Sequence, residues 1–277
     1  MEGADLNDRL FNLSGTGRVE QWRVAFDDVS EHPAFGSGAG SYQRFWLEHR
    51  ESNIAVRDAH SLYLEILAEL GPVGLALVLL LIGFPLVLAV RLRRRPLVPI
   101  AAAALVAYLA RAGIDWDWEF PILTLVALAC AGVIVAEGVE RPTQLARWVR
   151  VALLAAVVAL VPVVAVTTFG NRAEAASAEA FGARDFDRAA AEAETAERLA
   201  PWSVEPLVLL GRAQAAAGDH LSARVTFRRA AARAPERWRV WFELAAVSKG
   251  PRREAALRRA RALNPLESQI RDLEEGP

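Results

Sequence analysis

Residues 71–90 read GPVGLALVLLLIGFPLVLAV, twenty positions without a charged side chain, and the basic cluster RLRRR follows at 91–95. About 20 mostly apolar residues in a helix are needed to cross the hydrocarbon core of a bilayer. A helix pairs all of its backbone amides internally, and each amide left unpaired in lipid would cost several kcal/mol. This stretch therefore predicts a transmembrane helix.

The composition agrees with a membrane protein, since hydrophobic residues make up 53% of the chain and the formal net charge is only −1. The excess of apolar residues is concentrated in the middle of the chain. We predict an all-α fold with four transmembrane helices, at residues 64–90, 97–114, 120–136 and 149–169. A large soluble helical protein is the alternative, but four apolar segments of this length favour the membrane.

The arginines predict the orientation, because positive loops stay in the cytoplasm. Two separate loops carry arginine clusters, and an even number of spans places both on the same side. They contain Arg91, Arg93, Arg94 and Arg95, and Arg141, Arg147 and Arg150. The acidic loop after Arg111 then lies outside, with Trp116 and Trp118 as interfacial anchors. We therefore expect residues 1–63 and 170–277 to be extracytoplasmic.

The first 14 residues are acidic and polar and contain no secretory signal peptide. An extracytoplasmic segment without such a signal needs another means of insertion. We therefore expect earlier membrane helices of a longer protein to precede Met1.

The residues that commonly bind metals are few. Cys130 is the single cysteine, which excludes an intramolecular disulfide and a cysteine-based metal cluster. His32, His49 and His220 have no metal-ligand spacing among themselves. We expect neither a metal nor a cofactor.

The region 170–277 is rich in Ala, Arg and Glu with helical periodicity, which is typical of a soluble domain. Several identical residues recur 34 positions apart, the period of TPR repeats. The pairs are Pro201 and Pro235, Ala183 and Ala217, Asp185 and Asp219, Ala189 and Ala223, and Leu210 and Leu244. We predict a short array of TPR-type repeats that binds a protein partner or stabilises the membrane part.

The polar segment before the first span contains three notable motifs: GTGR at 15–18, HPAFGSGAGSY at 32–42 and AHSLYLEILAELGPVGL at 59–75. A helix is predicted from Arg18 to about Val29, then a turn and a second helical piece. Together with an aspartate in the outer loop, these motifs resemble the O-antigen ligase and polymerase superfamily. The resemblance covers about residues 14–136. Full-length members have roughly ten or more spans and further arginines in their earlier half, which this chain does not show.

The resemblance implies transfer of a polyprenyl-diphosphate-linked glycan to a lipid or protein acceptor at the outer face of the bacterial inner membrane. In that reaction Arg18 would contact the diphosphate, since a guanidinium offers a planar set of donors. His60 would act as the base or orient the substrate. The alternatives are a solvated helix charge for Arg18, and for His60 an interfacial polar residue beside Tyr63 and Glu65.

Three further residues are candidates for substrate binding. Arg44 and Arg57 could neutralise the diphosphate, although ordinary surface arginines are the alternative. Asp115 could position His60 or the acceptor, or it could cap a helix. The run GSGAGS could present amides to a phosphate, but it lacks the lysine and strand of a P-loop, so a flexible turn is favoured.

Two functions of different classes remain open. The first is a glycan ligase or polymerase, which we expect to be inactive as this chain alone because the donor-lipid groove would be incomplete. The second is a non-enzymatic membrane-anchored repeat scaffold for envelope assembly. A nucleic-acid partner is not expected under either.

Overall fold

The computed structural model describes residues 17–139 and 146–275, and within these ranges all regular structure is helical. The predicted all-α fold class is therefore confirmed. The chain forms two compact units, Met1–Thr143 and Gln144–Pro277. The predicted division at residues 63 and 169 is a finer one and stays a prediction.

The N-terminal unit contains five described α-helices and one 3-10 helix. They are α1 (Arg18–Glu31), α2 (Tyr42–His49), α3 (Leu62–Arg91), α4 (Val98–Ala112), the 3-10 helix Asp117–Glu119 and α5 (Pro121–Glu137).

The segment before α3 has a core of its own. Val24 of α1 and Tyr42 and Trp46 of α2 are fully buried in one hydrophobic cluster. Two polar ends of these aromatic side chains are also satisfied: the Tyr42 hydroxyl donates to the carbonyl of Gln21 at 2.9 Å, and the Trp46 indole donates to that of Ile54 at 2.9 Å. Because buried polar groups are costly when unpaired, the first bond helps to fix α2 against α1 and the second fixes α2 to the loop that follows it.

Helix α3 is interrupted at Gly71, which has φ 68° and ψ −174°. A glycine-rich turn packs against this break. A Cβ at Gly36 would lie 2.3 Å from the carbonyl carbon of Glu69, and one at Gly71 would lie 2.6 Å from the carbonyl oxygen of Ala34. Both positions also have positive φ, so close approach and backbone conformation each require glycine. The ELGPVG motif is thus the point where the segment before α3 packs against the apolar part of this helix.

The C-terminal unit contains seven described helices. They are α6 (Arg147–Gly182), α7 (Phe186–Leu199), α8 (Glu205–Ala216), α9 (His220–Arg233), α10 (Trp238–Ala246), α11 (Pro251–Leu263) and α12 (Ser268–Glu275). Helix α6 continues from its apolar stretch into the first helical hairpin without a break.

Helices α3 and α6, of 30 and 36 residues, are long and apolar enough to cross a membrane. Helices α4 and α5 are apolar too, but have only 15 and 17 residues. In the N-terminal unit, α3, α4 and α5 share a hydrophobic core that includes Ala89, Leu105 and Ile134. These features agree with a membrane protein, and the number of four spans stays a prediction.

Two turns of the C-terminal unit repeat with the predicted offset of 34 residues. Asp185 accepts a hydrogen bond from the amide of Arg188, and Asp219 accepts one from that of Ser222. Both aspartates are therefore N-caps of the second helix of a hairpin. The assignment of the hairpins as TPR repeats stays a prediction.

Candidate active site

The chain segment that carries His60 lies directly before α3 and is held by its backbone. The amide of Ala59 donates to Oε2 of the buried Glu65 at 2.9 Å. The amide of His60 donates to Oδ1 of Asp58 at 3.0 Å. His60 itself has φ 50°, a left-handed conformation that is uncommon outside glycine. Such conformations persist only where the surroundings impose them, so the orientation of His60 is fixed by these contacts.

His60 and Asp58 form an ion pair, with Nδ1 of His60 2.9 Å from Oδ1 of Asp58. The hydrogen bond with Asp58 raises the pKa of His60 above its ordinary value, and the charge of Asp115 adds a smaller contribution in the same direction. Burial alone would raise the pKa of Asp58, but its bonds to His60 outweigh burial and lower that pKa. A proton on Nδ1 that is donated to Asp58 leaves Nε2 as the basic nitrogen of the neutral ring.

Arg18 is the first residue of α1, and its Nη2 lies 3.4 Å from Oδ2 of Asp115. Its side chain is 23% exposed. Among the residues that the structure describes, Arg18 Nε is buried and has no hydrogen-bond partner. Buried donors are normally paired, so this guanidinium retains a donor for a further acceptor.

Asp115 lies in the loop after α4 and is paired with two arginines, Arg18 and Arg111. Its Oδ2 also lies 3.0 Å from Nη2 of Arg111, whose Nε donates to Oδ2 of Asp117 at 2.6 Å. Asp115 is thus the acidic residue that Arg18 and His60 share: it contacts the first and raises the pKa of the second. The structure therefore brings Arg18 and Asp115 into contact, while His60 is paired with Asp58 and is affected by the charge of Asp115.

The other two predicted site residues lie less centrally. Arg57 is exposed, and its charge helps to lower the pKa of Asp58. Arg44 lies on α2 and is half-buried, with an Nε that has no partner in the described part of the chain. Their role in substrate binding stays a prediction.

Several amides of the glycine-rich turn donate hydrogen bonds to residues of α3 that lie just before the break at Gly71. The amides of Ser37 and Gly38 donate to the carbonyls of Ala68 and Glu69 at 3.0 and 2.9 Å. The amide of Gly40 donates to Oε2 of Glu69 at 2.8 Å. These amides are therefore not directed at a phosphate, and the turn serves to join α1 and α2 to α3.

Sequence reasoning missed two acidic residues of this region. Asp58, two positions before His60, could have been found from the short Asp-x-His spacing. Asp28 is fully buried and accepts hydrogen bonds from Nδ1 of His32 at 2.9 Å and from the hydroxyl of Ser37 at 2.7 Å. It ties the end of α1 to the glycine-rich turn, a contact that no local pattern indicates.

A histidine paired with a buried carboxylate and an arginine in contact with a second carboxylate thus lie in the N-terminal unit, which also contains the long apolar helix α3. The helical fold and the apolar helices indicate a membrane protein with a polar site. The family model described as O-Antigen ligase matches residues 3–79, which contain Arg18, Asp58 and His60. Residues 3–79 are therefore similar to the O-antigen ligase family, which confirms the resemblance seen in the sequence. No curated protein and no solved structure matched the chain.

Proposed function

We propose that the cluster of Arg18, Asp58, His60 and Asp115 is part of the active site of a glycan ligase or polymerase. The enzyme transfers a glycan from a polyprenyl-diphosphate carrier to a lipid or protein acceptor. It works at the outer face of the bacterial inner membrane, where 1–63 and the C-terminal hairpins are extracytoplasmic. The observation that carries the proposal is the contact of Arg18 with Asp115, the carboxylate whose charge also helps to raise the pKa of His60.

The chemical roles follow from the contacts. Nε2 of His60 takes the proton from the acceptor hydroxyl as that oxygen attacks the anomeric carbon of the donor glycan. Asp58 holds Nδ1 and stabilises the imidazolium that forms. The bond from the anomeric carbon to the diphosphate oxygen breaks, and the polyprenyl diphosphate leaves with its electron pair.

Charge on the leaving diphosphate requires a cation, and Arg18 meets this need through its spare Nε. Its contact with Asp115 is long, at 3.4 Å, so the guanidinium can exchange this carboxylate for a phosphate oxygen. Arg111 remains with Asp115 and Asp117 and keeps the carboxylates compensated. Arg44 and Arg57 add positive charge for the rest of the diphosphate.

The test is glycan transfer in a ligase-deficient strain that expresses the protein. We expect His60→Ala to lower transfer by about 10²- to 10⁴-fold, the usual contribution of a general base. Arg18→Ala should also lower transfer strongly. Two variants serve as matched controls. Arg23→Ala changes an arginine on the same helix as Arg18 and removes only an exposed ion pair with Glu51. His220→Ala changes a histidine in the other unit.

Normal membrane levels of each variant must accompany the assay. Unchanged transfer by His60→Ala and Arg18→Ala would reject the catalytic proposal. It would favour a membrane-anchored scaffold whose hairpins bind a protein partner.

A further inference from the structure

Helix α6 defines a boundary within the C-terminal unit. Between Arg150 and Arg172 the chain has 21 uncharged positions. At 1.5 Å per residue this stretch is about 31 Å long, which matches a hydrocarbon core of about 30 Å. Trp148, 74% exposed, lies just before the stretch, where interfacial aromatic residues are common. One surface of the bilayer is therefore expected near Arg172.

The first helical hairpin returns to that boundary. Helix α7 runs back along α6, and a Cβ at Gly170 would lie 3.7 Å from Cβ of Ala200 and 3.9 Å from Cβ of Leu199. Residues 200–204, which connect α7 to α8, thus lie at the level where the apolar stretch of α6 ends.

The next connection lies on the same edge of the hairpins. Nη1 of Arg233, at the end of α9, donates to the carbonyl of Ser203 at 3.0 Å. We call residues 200–204 and 234–237 the proximal edge. The opposite ends of α7 and α9 carry the turns at 183–185 and 217–219, about 20 Å away by the length of a 14-residue helix.

The proximal edge has a surface composition suited to lipid headgroups. Trp202 is 66% exposed, although a large aromatic side chain is normally covered in a soluble domain. Arg237 is exposed as well, and it has no ion pair among residues 17–139 and 146–275. Tryptophan is favoured at the headgroup level of a bilayer, and arginine can bind lipid phosphates there.

We propose that the proximal edge of the hairpins rests on the phospholipid surface, with Trp202 among the headgroups and Arg237 on lipid phosphate. The hairpins are then held alongside the bilayer instead of projecting freely from it. The proposal needs α6 to cross the membrane, but it does not depend on glycan transfer.

The experiment uses the full protein in phospholipid vesicles, with Cys130→Ala as a cysteine-free background. A fluorophore is attached at Ser203→Cys on the proximal edge, or at Leu221→Cys near the opposite ends as a matched control. Leu221 is 71% exposed, so its replacement leaves the core intact. Quenching is measured with lipids that carry a nitroxide at the headgroup.

We expect strong quenching at position 203 and none at position 221 above that with unlabelled lipids. Adding Trp202→Ala to the Ser203→Cys protein should reduce the quenching, and Arg237→Gln should reduce it further when the vesicles contain anionic lipid. Equal quenching at both positions would overturn the proposal. So would the absence of quenching at 203 in a protein whose α6 is shown by protease protection to span the vesicle, because the edge would then face water or a protein partner.

Discussion

The segment at 17–63 and the helical hairpins of the C-terminal unit are stabilised in different ways. The hairpins bury alanine and leucine side chains around Phe227, and two of their turns repeat the same aspartate cap. The segment at 17–63 buries Asp28 and Asp58 and holds His60 in a left-handed conformation.

The two regions therefore differ in the kind of side chain that they bury. The cores of the hairpins consist of apolar side chains, which cannot bind an ionic substrate. Buried carboxylates cost free energy unless they are hydrogen-bonded, and they are retained where they position another group. In the segment at 17–63 we therefore expect substitutions to affect activity more than stability. In the hairpins we expect them to affect stability more than activity.

The largest effect on stability is expected from Phe227→Ala. Its fully buried ring fills the space next to Gly211, where a Cβ would lie 2.7 Å from the ring. Removal should cost about 3–5 kcal/mol of unfolding free energy. Limited proteolysis should then cleave the hairpins while α1 and α2 stay protected. Leu221→Ala, an exposed control, should have no such effect, and cleavage of both units together would break the comparison.

A smaller effect on stability, but a large loss of activity, is expected from Gly36→Ala. The left-handed backbone alone costs about 1–2 kcal/mol for a residue with a Cβ. The contact with Glu69 adds to this, since the backbone at 2.3 Å must move. Gly38→Ala is the control, because it also has positive φ but nothing within 4 Å. Equal transfer by the two variants would show that the turn does not position the site.

The dependence on pH tests the pair of His60 and Asp58. As a base His60 must be neutral, so transfer should rise with pH through a midpoint above 6.5, the ordinary pKa of histidine. Asp58→Asn removes the largest cause of the raised pKa and should move the midpoint down towards about 6.5. An unchanged midpoint would contradict the assignment of His60 as the base.

The same pair makes stability depend on pH with opposite signs at its two ends. The raised pKa of His60 contributes stability that is present below about 6.5 and lost as pH rises through the pKa of the folded state. The lowered pKa of Asp58 contributes stability that is present above about 3.9 and lost as pH falls through its folded pKa. Thermal unfolding of Asp58→Asn should therefore change less than that of the wild type as pH rises above about 6.5 and as pH falls below about 3.9.

The smallest effect is expected from Asp185→Ala, which removes one N-cap. The typical cost is about 1 kcal/mol, and the site at Arg18 and His60 should be unaffected. Thermal unfolding and glycan transfer measured on one preparation would check both statements. A marked loss of transfer at normal stability would contradict the separation of the two regions.

The sequence was most informative where a pattern is local. Helix α1 begins at Arg18 as predicted and ends two residues later than expected, at Glu31. Periodicity and the glycine before Arg18 are sufficient for that. The position of α5, Pro121–Glu137, was also predicted to within one residue from its apolar length.

The contacts that make the site could not be predicted in the same way. Arg18 and Asp115 are 97 positions apart, and the pattern around each is compatible with solvent. The backbone that lies closest to Gly71 is that of Ala34, which is distant from it in the sequence. Such contacts depend on the folded chain, so the motifs could suggest candidate residues but not their partners.

Helix α6 has one mechanical consequence. Because α6 continues into the first hairpin as one helix, this hairpin must tilt together with it. Tilt adjusts when the thickness of the bilayer differs from the apolar length of a helix. If α6 crosses the bilayer as proposed, a thinner or thicker lipid environment would thus tilt the first hairpin together with this helix.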